Sequence, residues 1–150
     1  MKKNIFDAAV KDELINRVNH LTENSVALWG VMNVAEMMHH CNKALKNLLA
    51  PVSGKPESLK QKILRFLFLY IVPKYPQNAD APNSINIKKN NIMPDSFIKE
   101  KGQLIESLVE FQQYEGQIKY LHPYFGNMNR KQWGIITWMH MDHHLRQFGA

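Results

Sequence analysis

The sequence predicts an all-α protein, a bundle of four long helices with one additional short apolar helix. Three observations carry that prediction. Apolar residues recur every three or four positions over four long stretches, which puts them on one helical face. Polar capping residues stand immediately before several of these stretches. No segment alternates apolar and polar residues as a half-buried strand does, and there is no internal repeat.

The first helix is predicted from Phe6 to about Leu21, where Phe6, Val10, Leu14, Val18 and Leu21 recur between Lys11, Asp12, Asn16 and Arg17. "TENS" at 22–25 breaks the pattern. The second begins in "MNVAEMMHHCNKALKNLLA", with Asn33 as cap and Glu36 three residues on, the capping-box spacing. Val34, Met37, Met38, Cys41, Leu45 and Leu48 form its apolar side, and Pro51 and Gly54 end it. "SLKQKILRFLFLYIVP" follows. Its apolar run from Ile63 to Val72 is interrupted by Arg65 and is far shorter than the ~20 residues of a membrane span. A buried helix or an interface helix, such as a homodimer contact, is expected. A membrane-surface helix fits less well because the polar face is thin. Residues 73–94 hold four prolines and no periodicity, as a lid, a binding loop or a crossover connection would. Asp95 or Ser96 then caps a helix from Phe97 to about Tyr120, with Ile98, Leu104, Ile105, Leu108, Phe111 and Ile118 on its buried side. "HPYFGNMN" makes a turn. Asn129 caps the last helix, Arg130 to about Phe148, and Gly149 stands where a C-terminal stop is expected.

At 150 residues the chain is expected to form one domain, large enough for a core without covalent staples. Its single cysteine, Cys41, excludes an intramolecular disulfide and fits a reducing compartment. No apolar stretch follows Lys2 and Lys3, so a cytoplasmic protein is expected. The net charge of +6 favours anionic partners in general. That charge is dispersed, however, its densest spots being Lys88–Lys89, Lys99 with Lys101, and Arg130–Lys131. No basic arm and no zinc-finger or RNA-recognition signature accompanies them, so a specific nucleic-acid partner is not expected.

Three of the seven histidines stand in "HMDHH" near the end of the chain. His140 and His144, at i and i+4, share a face with Trp133 and Thr137, so two imidazoles project between helices. His140 with His143, at i and i+3, is the competing pair. Neutral imidazole suits zinc, nickel, iron or copper, but two ligands are too few. "EMMHHC" on the second helix offers His39 and His40 as a third. Glu36-Met-Met-His39 matches the Glu-x-x-His element of di-metal carboxylate bundles once, with no second copy, and the H-E-x-x-H motif is absent.

Taken together, "MNVAEMMHHCNKAL", "HPYFGNMNRKQW" and "HMDHHLRQFG" resemble a branch of the DinB-like superfamily catalogued as a domain of unknown function. "NIFDAAVKDELINRVNHLTENSVALWGVMNV" and "DSFIKEKGQLIESLVEF" fit the same pattern, so the likeness covers most of the chain and is weakest over residues 51–92. It implies a four-helix bundle with a long crossover and a divalent metal held by three histidines. Carried onto this sequence, these are His40, His140 and His144, with Gln147 after the last. Zinc, nickel, iron and manganese are the candidate ions.

The same resemblance implies transfer of a low-molecular-weight thiol to an electrophilic small-molecule substrate. Three imidazoles leave coordination positions open, as at catalytic sites. A bound ion lowers the pKa of a coordinated thiol or water, giving a thiolate for transfer or a hydroxide for hydrolysis. Transfer is the expected reaction. A non-catalytic bundle binding a metal or an anionic ligand is the alternative. Glu36 is a candidate to orient His40, although its capping position accounts for it. Gln147 is a candidate hydrogen-bonding neighbour and His122 a candidate at the pocket mouth, each with a plain structural account as a helix-end or turn residue. Cys41, Met32, Met37, Met38 and Met139 are expected to fill the core, and Trp133 and Trp138 to pack.

Overall fold

The computed structural model describes residues 2–50, 56–77 and 82–150. Among them are five α-helices and no β-strand: α1 (Ala8–His20), α2 (Val34–Leu49), α3 (Leu59–Phe66), α4 (Phe97–Gln113) and α5 (Arg130–Gln147). α3 continues into a π-helical turn, Leu67–Ile71, and a 3-10 turn, Asn83–Ile85, interrupts the connection to α4. The all-α expectation holds.

The starts of the helices follow the capping chemistry read from the sequence. Asn33 and Glu36 form a reciprocal capping box at α2, and Asn129 and Gln132 form another at α5. Each satisfies two backbone N–H groups that the first turn leaves without partners. Asp7 caps α1 through Ala9, so that helix starts two residues later than Phe6. α4 is closed differently. Ser96 makes no side-chain cap; instead the buried Glu100 reaches back and accepts from the Asp95 amide at 2.9 Å. α5 stops as expected, Gly149 taking φ +76°. Pro51 and Gly54, the expected stop of α2, lie outside the described residues.

α1 packs on α4 and α5, and α2 packs on the same two helices. α1 and α2 therefore sit across one diagonal of the bundle, and α4 and α5 across the other. Leu14, Val18, Met37, Met38, Cys41, Leu104, Leu108, Phe111, Trp133 and Leu145 meet in its core, and the π-helical turn packs against α5. Cys41 and the core methionines thus fill space, Cys41 lying 3.8 Å from the Met37 sulfur.

Three expectations change. α4 ends at Gln113, not near Tyr120. The chain turns extended at Tyr114, whose carbonyl accepts from Arg130, and Ile118 is buried from an irregular segment. Ile98 does not face the core but is 82% exposed, because the buried face of α4 runs through Glu100, Leu104, Ser107, Leu108 and Phe111. The apolar helix after residue 58 is not buried: no residue of α3 is, and in the π-helical turn only Leu69 is.

Candidate metal centre

His40 stands in the middle of α2 and faces α5 across the bundle, where His140 and His144 lie one turn apart. The three rings form a nearly equilateral triangle. Their centroids are 5.1 Å apart for His40 and His140, and 4.7 Å for each of the other two pairs. The Nε2 atoms of His40 and His140 are 3.0 Å apart, and one ligand nitrogen from each of the three lies within 4.8 Å of the others. Bonds of ~2.0–2.1 Å from one ion put two cis nitrogens about 3.0 Å apart, so the donor set fits a divalent ion.

Hydrogen bonds decide which nitrogen each ring presents. The Nδ1–H of His40 donates to the Ile85 carbonyl at 2.8 Å. The Nδ1–H of His144 donates to Gln147 Oε1 at 2.9 Å, and Gln147 Nε2 in turn donates to the Trp29 carbonyl at 2.7 Å. A carbonyl only accepts, so in both rings the proton sits on Nδ1 and Nε2 carries the lone pair that an ion would take, that of His40 facing His140 Nε2 at 3.0 Å. The Trp29 carbonyl comes this close because Gly30 follows it with φ +80°. A Cβ at Gly30 would stand 2.6 Å from Gln147 Nε2.

Burial holds all three imidazoles in the neutral, ligating form. It lowers the pKa of His40, and it pushes those of His140 and His144 well below the usual range, with nearby histidines, His143 among them for all three, further disfavouring charge. Three neutral rings in contact leave the centre without formal charge until a cation enters.

The triangle forms part of the wall of a cavity of about 740 Å³, so protein ligands stand on one side of any ion and open space on the other. Aromatic and aliphatic groups dominate the rest of that wall, with Phe68, Tyr75, Tyr120 and Trp133 prominent. His122 also lines it. Its Nδ1 accepts from the amides of Tyr124 and Phe125, its ring stacks on Phe125 at 4.4 Å, and burial lowers its pKa to about 4. It is therefore both a turn residue and a cavity residue.

The remaining candidates separate cleanly. Glu36 spends one oxygen on the Asn33 amide and the other on Lys88 Nζ, each at 2.8 Å, which makes it a helix cap. His39, one position before His40, turns to α4 and meets Glu100 Oε1 at 3.0 Å. His143 is outside the triangle but lines the cavity between Trp29 and Tyr75, whose ring centroids are 5.7 and 6.0 Å away. Trp29, Tyr75 and Ile85 belong to segments without helical periodicity, so only the Pro-rich character of residues 73–94 signalled that this stretch takes part.

A protein-family model described as "Protein of unknown function (DUF1569)" matches residues 3–150. No curated protein and no solved structure matches the chain.

Proposed function

The chain belongs to the DUF1569 family, and on that footing we propose that it is a divalent-metal-dependent enzyme of DinB-like type, transferring a low-molecular-weight thiol to an electrophilic small molecule. One observation carries this reading: three neutral histidines converge on one wall of a largely apolar cavity. A structural metal site is closed by four protein ligands, whereas three ligands beside a cavity leave positions for an exchangeable group. Held there, a zinc, nickel, iron or manganese ion supplies the positive charge that keeps a thiol or water ligand ionised at neutral pH.

The chain's own residues do the rest. Ile85 and Gln147 fix the tautomers of His40 and His144 before any ion arrives, which removes the cost of reorienting those rings. Phe68, Tyr75 and Trp133 give the substrate an apolar surface and limit water near the reacting atoms. Lys89 stands on the same cavity's wall, where it suits a carboxylate of a small thiol.

Metal content measured on protein purified without an affinity tag tests the proposal. About one divalent ion per chain is expected in wild type and a much lower content in His144→Ala. A thiol-dependent turnover is expected to disappear in His140→Ala. Turnover that persists at the wild-type rate in that variant, or wild-type protein that refuses added zinc, nickel, iron and manganese, would overturn the reading.

A further inference from the structure

α3 and its π-helical turn carry apolar residues on two sides, of which Leu64, Phe68 and Leu69 pack inward. Gln61 and Arg65, polar residues of this segment, face the protein. Gln61 Nε2 donates to the carbonyls of His122 and Pro123, at 3.3 and 3.0 Å. Arg65 pairs with Glu57 and donates to the carbonyls of Phe125 and Asn127. The opposite side is apolar and open to solvent: Leu59 is 73% exposed, Ile63 52%, Phe66 56%, Tyr70 67% and Ile71 64%. Burial of such side chains stabilises a fold, so a row of five left in water is unusual for a monomer surface.

The charges beside this row point to its occupant. Each helical residue turns about 100°, so Lys60 and Lys62 flank the line from Leu59 to Ile63, one on either side. Both are exposed, and among the described residues neither has an acidic partner within ion-pair distance. Lys74 follows, also exposed. From Ser58 to Gln77 there is no Asp or Glu. Two copies of this face would therefore bring together cations with no carboxylate to neutralise them. An anionic sheet with an apolar interior matches both parts at once: the apolar row enters the acyl boundary while the lysines extend to the headgroups. Phe66 and Tyr70 are residue types that settle at that level. The thin polar face that made such a helix unexpected from sequence follows from Gln61 and Arg65 being engaged inward.

We propose that the outer face of α3 and the π-helical turn, Leu59 to Ile71, docks the protein on anionic lipid surfaces. No described helix is long and apolar enough to cross a membrane, so the contact is peripheral. This surface is independent of the histidine triangle.

Flotation of the full chain with vesicles of phosphatidylcholine, alone or with about one third phosphatidylglycerol, tests the proposal. Wild type is expected to float with the anionic vesicles at least tenfold more than with the neutral ones, and less as salt rises. Lys60→Glu with Lys62→Glu is expected to lower the partition by more than tenfold, each lysine near an anionic surface being worth about fivefold. Phe66→Ser with Tyr70→Ser keeps the net charge and is also expected to lose binding tenfold or more. The substituted side chains are exposed, so circular dichroism should show an unchanged fold. No binding by wild type, or binding that survives Phe66→Ser with Tyr70→Ser, would overturn the proposal. So would a dimer in sedimentation that those serines dissolve, since the face would then belong to a second copy.

Discussion

Gln147 shows how a residue outside the metal-ligating triangle sets its chemistry. Its amide accepts from His144 and donates to Trp29, so neither end can be lost without leaving a buried partner unsatisfied. Gln147→Leu is expected to weaken divalent-metal binding by ~10–100-fold, read by competition with a chelating dye, while the helix content stays unchanged. His122 contributes to pH dependence alongside the three buried rings of the triangle. Its folded pKa of about 4 lies below the ~6.5 of an unfolded chain, so between these values the unfolded state binds more protons. The fold carries no such penalty above pH 6.5 and loses up to ~1.4 kcal/mol per pH unit as pH falls toward 4. Urea titrations from pH 7 to 4 are expected to show a shallower fall for His122→Gln than for wild type. Spacing in the last helix puts His140 and His144 on one face but leaves His140 with His143 as a competing pair, so periodicity narrows the choice without making it. The choice of His40 over His39 is not legible from periodicity. His40 meets a carbonyl 45 residues away in the chain and His39 a carboxylate 61 residues away, and no local pattern reports either.

At the scale of the element, capping chemistry proves the most readable signal. The boxes at Asn33 and Asn129 are local, four-residue devices, so they act the same way in any surrounding fold. Helix ends and faces depend on partners and read less well. Ile118 lies seven residues beyond Phe111, the spacing of two further turns of α4, yet it is buried from an irregular segment. Ile98 has helical spacing to nothing on the core face and stays in water. The two sides of α4 are expected to differ in energy accordingly. Leu108→Ala should cost ~2–5 kcal/mol in chemical denaturation, and Ile98→Ala should change stability by no more than about 0.5 kcal/mol. α3 is the hardest element to read from sequence. Its apolar residues predict burial, and only the structure shows that Gln61 and Arg65 share the inward side with Leu64, Phe68 and Leu69 while the rest stay in water.

At the scale of the molecule, the crossover between α3 and α4 unites fold and site. It carries Ile85 to His40 and Tyr75 to His140 and His143 from a Pro-rich stretch, which so supplies part of the cavity wall. The diagonal placement of sequence neighbours has a further consequence, for the order in which the chain acquires structure. Neither α1 with α2 nor α4 with α5 forms a packed pair, so the contacts that bury each helix join distant parts of the chain. Non-local contacts slow folding, because loop closure precedes the gain from burial. Residues 2–50 and 97–150, made separately, are expected to show little helix by circular dichroism and to gain it on mixing. During synthesis the apolar faces of α1 and α2 must wait, uncovered, until α4 has left the ribosome.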